Sequence, residues 1–366
     1  QSVGIFAKND DSNNKDKLVA INTAAGTIVA DSSKSIGISA EKSTVDNSGT
    51  ITMKKAESAG IYGKSGSKVT NNKKIEMKEK ESAGIYLENS DAENATNGTI
   101  TVDKAYNLFN NPDNTNTVNY SNAVATSNAG IRIQSFATTD TATGNLVGVN
   151  KGTINLNNGS GNVGIYAYDV ANTNDIVGTN NYKILGENTA AGTINVAGTN
   201  VGMMAQDDSK TNKTNFETVI QNSGTIKVNG ASSIGMYTKD KYSKAKQLGG
   251  TIAVSSNNVG VVNNGEFKFT GGTITANGTN SVGVYSANGT NSTTEIGDGT
   301  ANSATLNVAD GGVGLYADAG STQTLKGLNA TVSGTNTAGS ILFYNIPSAT
   351  GGTAGKFDLS NNPGKA

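Results

Sequence analysis

Two short motifs alternate along almost the whole chain, and their spacing leaves few folds open. The first motif is a small or apolar residue, a glycine, an apolar residue and, in most copies, an aromatic. Its glycines stand at 4, 37, 60, 84, 130, 164, 202, 235, 260, 283, 314 and 339. The second is G-T-I-x-apolar, beginning at Gly26, Gly49, Gly98, Gly152, Gly192, Gly224, Gly250 and Gly272, with degenerate copies in "KKIEM" at 73–77 and "ATLNV" at 304–308. From the second motif to the next motif glycine is 11 residues for 26→37, 49→60, 73→84, 224→235 and 272→283. It is 10 for 192→202, 250→260 and 304→314, and 12 for 152→164. The return is elastic: 12 residues for 37→49 and 260→272, 22 for 202→224 and 28 for 164→192. A fixed arm of 11 and a minimal return of 12 add to 23 residues, the size of one coil of a solenoid.

The pieces alternate with period 2, which is the signature of strands and not of helical repeats. In "GTINL" at 152–156, Ile154 and Leu156 share a face; in "VGIYA" at 163–167, Val163, Ile165 and Ala167 do. Two short strands per coil, with a weaker third near "STVDN" at 43–47, predict an all-β chain: a right-handed parallel β-helix of about eleven coils. Stacked at ~4.8 Å, the coils make a rod on the order of 50 Å long. Inward Ile, Val, Leu and Ala form a narrow core. Turn residues before the second motif ("NNKK", "QNSG", "TGG") are expected to need positive φ, and turn asparagines to bond their equivalents one coil away.

Composition fits this reading: Gly 46, Pro 3, only 16% charged and 5% aromatic. The 28 basic and 29 acidic groups leave a net charge of −1, so no field favours nucleic acid. Cys and His are absent, which excludes disulfides, Cys–His or Ser-His-Asp catalysis, and zinc held by His or Cys. Acidic pairs such as Asp10–Asp11 and Asp207–Asp208 sit in apparent turns instead of forming a catalytic carboxylate cluster. No enzyme activity and no cofactor are expected. No run of 18 apolar residues is present, and no signal peptide. Because the chain opens inside a motif, "VGIF" at 3–6, it reads as a segment of a longer protein.

With Val, Ile and Ala inward, the glycine and the aromatic of the first motif point out. The outer column then reads Phe6, Ser39, Tyr62, Tyr86, Arg132, Tyr166, Met204, Tyr237, Val262, Tyr285 and Tyr316. It is either a strip on which a sugar or a protein could rest, with Tyr62, Tyr86 and Tyr166 as candidate contacts, or a ladder of rings stacked on one another. Arg132, the only arginine, follows an insertion over 101–128 that carries Tyr106, Phe109 and Tyr120; these four residues are the second candidate patch. Further loop excursions are expected at 168–190, 206–221, 238–248 and 286–303, the third of them, "TKDKYSKAKQL", as a short helix.

"GTITM…ESAGIYG" at 49–63, "GTIKV…SSIGMY" at 224–237 and "GTITA…SVGVY" at 272–285 resemble the passenger repeats of large autotransporter adhesins, above all the very long fusobacterial type. The resemblance runs from Val3 to about Gly339. It implies a monomeric, non-membrane-embedded passenger segment at the bacterial cell surface, held in the outer membrane by a C-terminal β-barrel outside this sequence. It also implies attachment to a host receptor, a host glycan or a partner bacterium. A stalk that only presents a distal binding domain is the alternative, and a polysaccharide-acting enzyme a weaker one.

Overall fold

The computed structural model describes residues 2–10, 17–103, 128–135, 146–157, 159–169, 182–208, 216–287, 292–333, 339–345 and 354–360. Among them every regular element is a β-strand, and all strand pairs are parallel. One coil is three strands: Val3–Lys8, Leu18–Asn22 and Thr27–Ala30 in the first, Ala59–Lys64, Lys68–Asn71 and Lys74–Met77 in the third. Equivalent strands stack into three sheets of 12, 12 and 11 strands, each strand pairing with the one a coil away. The fold is a right-handed parallel β-helix of eleven full coils, with two strands of a twelfth, Ile341–Asn345 and Lys356–Asp358.

The core consists of columns. The isoleucine of G-T-I pairs in register from Ile28 through Ile51, Ile75, Ile100, Ile154, Ile194, Ile226, Ile252 and Ile274 to Leu306. A second column runs Ile38, Ile61, Ile85, Ile131, Ile165, Met203, Met236, Val261, Val284, Leu315, all fully buried. Each such side chain contributes about 1.5–3 kcal/mol relative to its exposed state, but only with a coil on either side of it.

A polar column runs beside the apolar ones. Asn22, Asn47, Asn71, Asn94, Asn150, Asn188 and Asn222 each donate a side-chain N–H to the next member, ending on Gln247, at 2.7–2.9 Å. This is the expected inter-coil asparagine ladder, and all eight of its members are at most 5% exposed. The G-T-I glycines make room for it: a Cβ on Gly98 would lie 2.3 Å from Asn94 Oδ1.

Several expectations are corrected. The strand expected to be the weaker one, Thr44–Asn47 and its equivalents, is as regular as the other two, and its sheet has twelve members. The segment 238–248 is no helix; Ser243–Gln247 is a strand in which Ser243, Ala245 and Gln247 are buried and Lys244 and Lys246 face outward. Alternation with period 2 overrides the helix propensity of its lysines. The other excursion ranges likewise hold second-sheet strands: Tyr182–Asn188, Phe216–Asn222 and Thr293–Ile296. At the second motif left-handed backbone occurs at Gly250 and Gly272 themselves and at Asn302, ahead of "ATLNV"; its main column is Lys34, Glu57, Glu81, Ser232, Asn257 and Asn280, each two residues ahead of the residue that precedes the first motif's glycine. Last, Gly339 is not a motif glycine, because Val313 pairs with Ile341 and Leu315 with Phe343, which puts Leu342 in that place.

Candidate functional site

The first motif's strand does not alternate as a flat strand does. A Cβ built on Gly60 would lie 2.6 Å from the Gly84 carbonyl oxygen and 2.6 Å from Ile75 Cγ2. The glycine therefore faces the core, where successive coils press together too closely for any side chain. The preceding residue is turned out: Ala129, Val163, Val201 and Ile234 cluster with Tyr166, Met204, Tyr237 and Val262, apart from the main core. Glycine in and its predecessor out is the reverse of the sequence expectation. The bend at glycine shifts the alternation by one position.

The aromatic column itself is in register as read: Phe6–Ser39–Tyr62–Tyr86–Arg132–Tyr166–Met204–Tyr237–Val262–Tyr285–Tyr316, extended by Tyr344. Rings meet at 5.6 Å for Tyr62–Tyr86, 5.0 Å for Tyr285–Tyr316 and 4.9 Å for Tyr316–Tyr344. The Arg132 guanidinium fills its rung as a flat cation, 5.4 Å from the Tyr86 ring and 5.3 Å from Tyr166, with Nε donating to Gln134 Oε1 at 3.0 Å.

The column is not evenly accessible. Tyr166, Met204, Tyr237 and Val262 are at most 5% exposed, whereas Tyr62, Tyr86, Tyr285 and Tyr316 are half-buried and Phe6 is open. Tyr166 is therefore out of reach of a surface ligand. Burial pushes the phenols of Tyr62, Tyr86 and Tyr166 well above their usual range, Tyr62 further because its hydroxyl donates to Glu88, so all three stay neutral. Tyr106, Phe109 and Tyr120 lie outside the described residues, as does most of the 101–128 insertion.

Tyr62, Tyr86 and Arg132 do come together, at the edge of a groove of about 530 Å³ that runs across the strands, parallel to the helix axis. The two copies of "ESAGIY", at 57–62 and 81–86, build it. Glu57 and Glu81, with φ of 56° and 57°, form one wall; Ala59 and Ala83 form the floor; Tyr62 and Tyr86 form the opposite wall. Lys34 and Ile36 stand at one end and Arg132 at the other. Below the acidic wall the Ser35 N–H donates to Ser58 Oγ and the Ser58 N–H to Ser82 Oγ, both at 3.2 Å, which locks the two turns in step. Sequence reasoning missed Glu57, Glu81 and the alanine floor. The verbatim repeat was the signal: identical successive coils extend one surface in place of varying it.

Among the described residues no group of three or more acidic side chains is placed to hold a metal ion, and no helix is long and apolar enough to cross a membrane. Residues 58–258, more than half of the chain, match the family model described as the BigA third pectate lyase-like domain. No curated protein and no solved structure matches the chain.

Proposed function

Since the chain belongs to the family of the BigA third pectate lyase-like domain, a passenger-type β-helical domain of a bacterial autotransporter-like surface protein, we propose that it is a non-catalytic attachment segment. In this reading it belongs to a large autotransporter adhesin of the fusobacterial type, anchored in the outer membrane through a separate barrel, and attaches the cell to a host surface or to another bacterium.

The observation that carries the reading is the groove. Tyr166, Met204, Tyr237 and Val262 are closed over, whereas at the two "ESAGIY" copies side chains of three chemistries surround open space. Loops on a rigid scaffold are the usual place for binding groups, and here the scaffold's own face offers a second. The test is retention of the purified chain on epithelial cells and on bacterial partner cells, beside a variant with Ala59→Arg and Ala83→Arg, which fills the groove. Retention that the variant loses while keeping its β circular-dichroism spectrum supports the reading. No retention by either form contradicts it and favours the stalk, for which the regular ladders speak.

A further inference from the structure

We propose that the groove over Ala59 and Ala83 takes a neutral, linear oligosaccharide lying along the helix axis. The inference rests on the attachment reading and names the ligand class for the same site.

The backbone of the floor has nothing left to offer. The Ala59 N–H donates to the Ser35 carbonyl, the Ala83 N–H to that of Ser58 and the Ala129 N–H to that of Ser82, each at 3.0 Å. A peptide cannot add as a strand here, because strand addition needs an unpaired edge and the groove lies in the middle of a sheet. Recognition must come from side chains alone.

Those side chains repeat with the coil, at roughly 4.8 Å. Each repeat presents a carboxylate on one wall, a methyl group on the floor and a tyrosine on the other wall. Aliphatic C–H groups of a sugar ring pack on aromatic and methyl surface, and its hydroxyls donate to carboxylates. From Lys34 to Arg132 the groove crosses four coils, a length of roughly 14 Å between the first and the last, so it suits a chain rather than one sugar.

Charge selects against acidic chains. Three carboxylates, of Glu57, Glu81 and Glu88, line the groove. Its two cations are already engaged: Lys34 by Glu57 at 3.4 Å, and Arg132 between two rings with Nε on Gln134. A uronate or sialylated chain would meet a lining in which three carboxylates stand against two cations.

The test is calorimetric titration of the whole chain with neutral linear hexamers of glucose, galactose, mannose and N-acetylglucosamine, with hexagalacturonate, and with an oligolysine peptide. At least one neutral hexamer should bind, and Ala59→Arg with Ala83→Arg should weaken it at least about tenfold. Should that variant misfold, Glu57→Gln with Glu81→Gln, in the outer turns, should weaken it several-fold. Binding of hexagalacturonate or oligolysine alone, or neutral binding that both variants leave unchanged, overturns the proposal. Cell retention separates the two levels. Retention that depends on the groove but survives enzymatic removal of cell-surface glycans sinks the glycan and leaves attachment standing; a hexamer bound by a chain that no cell retains does the opposite.

Discussion

The Tyr285 hydroxyl donates to the Asp318 carboxylate at 2.6 Å, and Asp318 lies one coil on, two residues past Tyr316, the ring that Tyr285 packs against. The relation recurs. Tyr86 bonds Gln134, two past its partner Arg132; Tyr166 bonds Gln206, two past Met204; Tyr168 bonds Asp208, two past Gln206. Tyr62 bonds Glu88 in the same way, and Asn264 donates to Tyr237 across the equivalent step at 3.4 Å. Two residues further along a strand is the same face, so each tyrosine ties its coil diagonally to the next.

Tyr285→Phe should therefore cost more than Tyr86→Phe. The first loses a bond to a carboxylate, worth about 1.5–3 kcal/mol, and the second a neutral bond, worth about 0.5–1.5 kcal/mol. Urea denaturation of the two variants checks the order; equal costs would show that the acceptor's charge does not matter.

Asn94→Ala removes both ladder bonds of one buried member, so the Asn71 amide loses the acceptor above it and the Asn150 oxygen the donor below it, while each keeps its bond to the other neighbour. We expect a loss of about 2–5 kcal/mol, since a buried amide without a partner costs about 1–3 kcal/mol. Hydrogen exchange should show the loss concentrated in the neighbouring coils, because each coil touches only the next.

Gly84→Ala places a methyl group 2.5 Å from Ile100 Cγ2 and 2.8 Å from the Gly130 carbonyl oxygen. Overpacking of this kind costs about 1–3 kcal/mol. Gly66→Ala is a control without crowding, though its φ of 82° adds backbone strain. A thermal melt in which Gly84→Ala equals the wild type would contradict the close approach of coils.

Glu217 sits between Lys183 and Lys244, at 3.3 Å and 2.6 Å. Burial raises its carboxyl's pKa, but the hydrogen bonds and charges of the two lysines outweigh that and hold it below 4.5, the ordinary value. A carboxyl depressed by folding stabilises above its unfolded value, and the gain is lost as pH falls through the folded value. Stability should drop below about pH 4.5 in the wild type, by no more than about 1 kcal/mol from this half-exposed group. Glu217→Gln should flatten that part of the curve, measured as denaturation midpoint against pH.

The coil and its core were legible because a strict register repeats one chemical choice per coil: isoleucine after G-T, asparagine at one corner. What was not legible came from the bend at the first motif's glycine. Alternation read straight through "VGIYA" puts Val163 beside Ile165, whereas the glycine's missing Cβ lets the chain turn there and sends Val163 out to Tyr166. The lysine-rich stretch at 238–248 misled for another reason, since its helix propensity says nothing about the strands Phe216–Asn222 and Glu266–Phe269 that pair with Ser243–Gln247 on either side. Of the residues that line the groove, Tyr62 and Tyr86 stand out in the sequence by their place in the aromatic column; Glu57 and Glu81 do not, since a surface glutamate in a turn carries no signal until its neighbours are known.

The central claim is that the groove of the two "ESAGIY" copies does the attaching. The chain has no cysteine, so one introduced by Ala59→Cys, capped with a bulky maleimide, blocks the groove alone. Lys246→Cys, on the outer face of another sheet, is the control. The account predicts that the capped Ala59 variant loses cell retention and the capped Lys246 variant keeps it. Equal retention by both would contradict it.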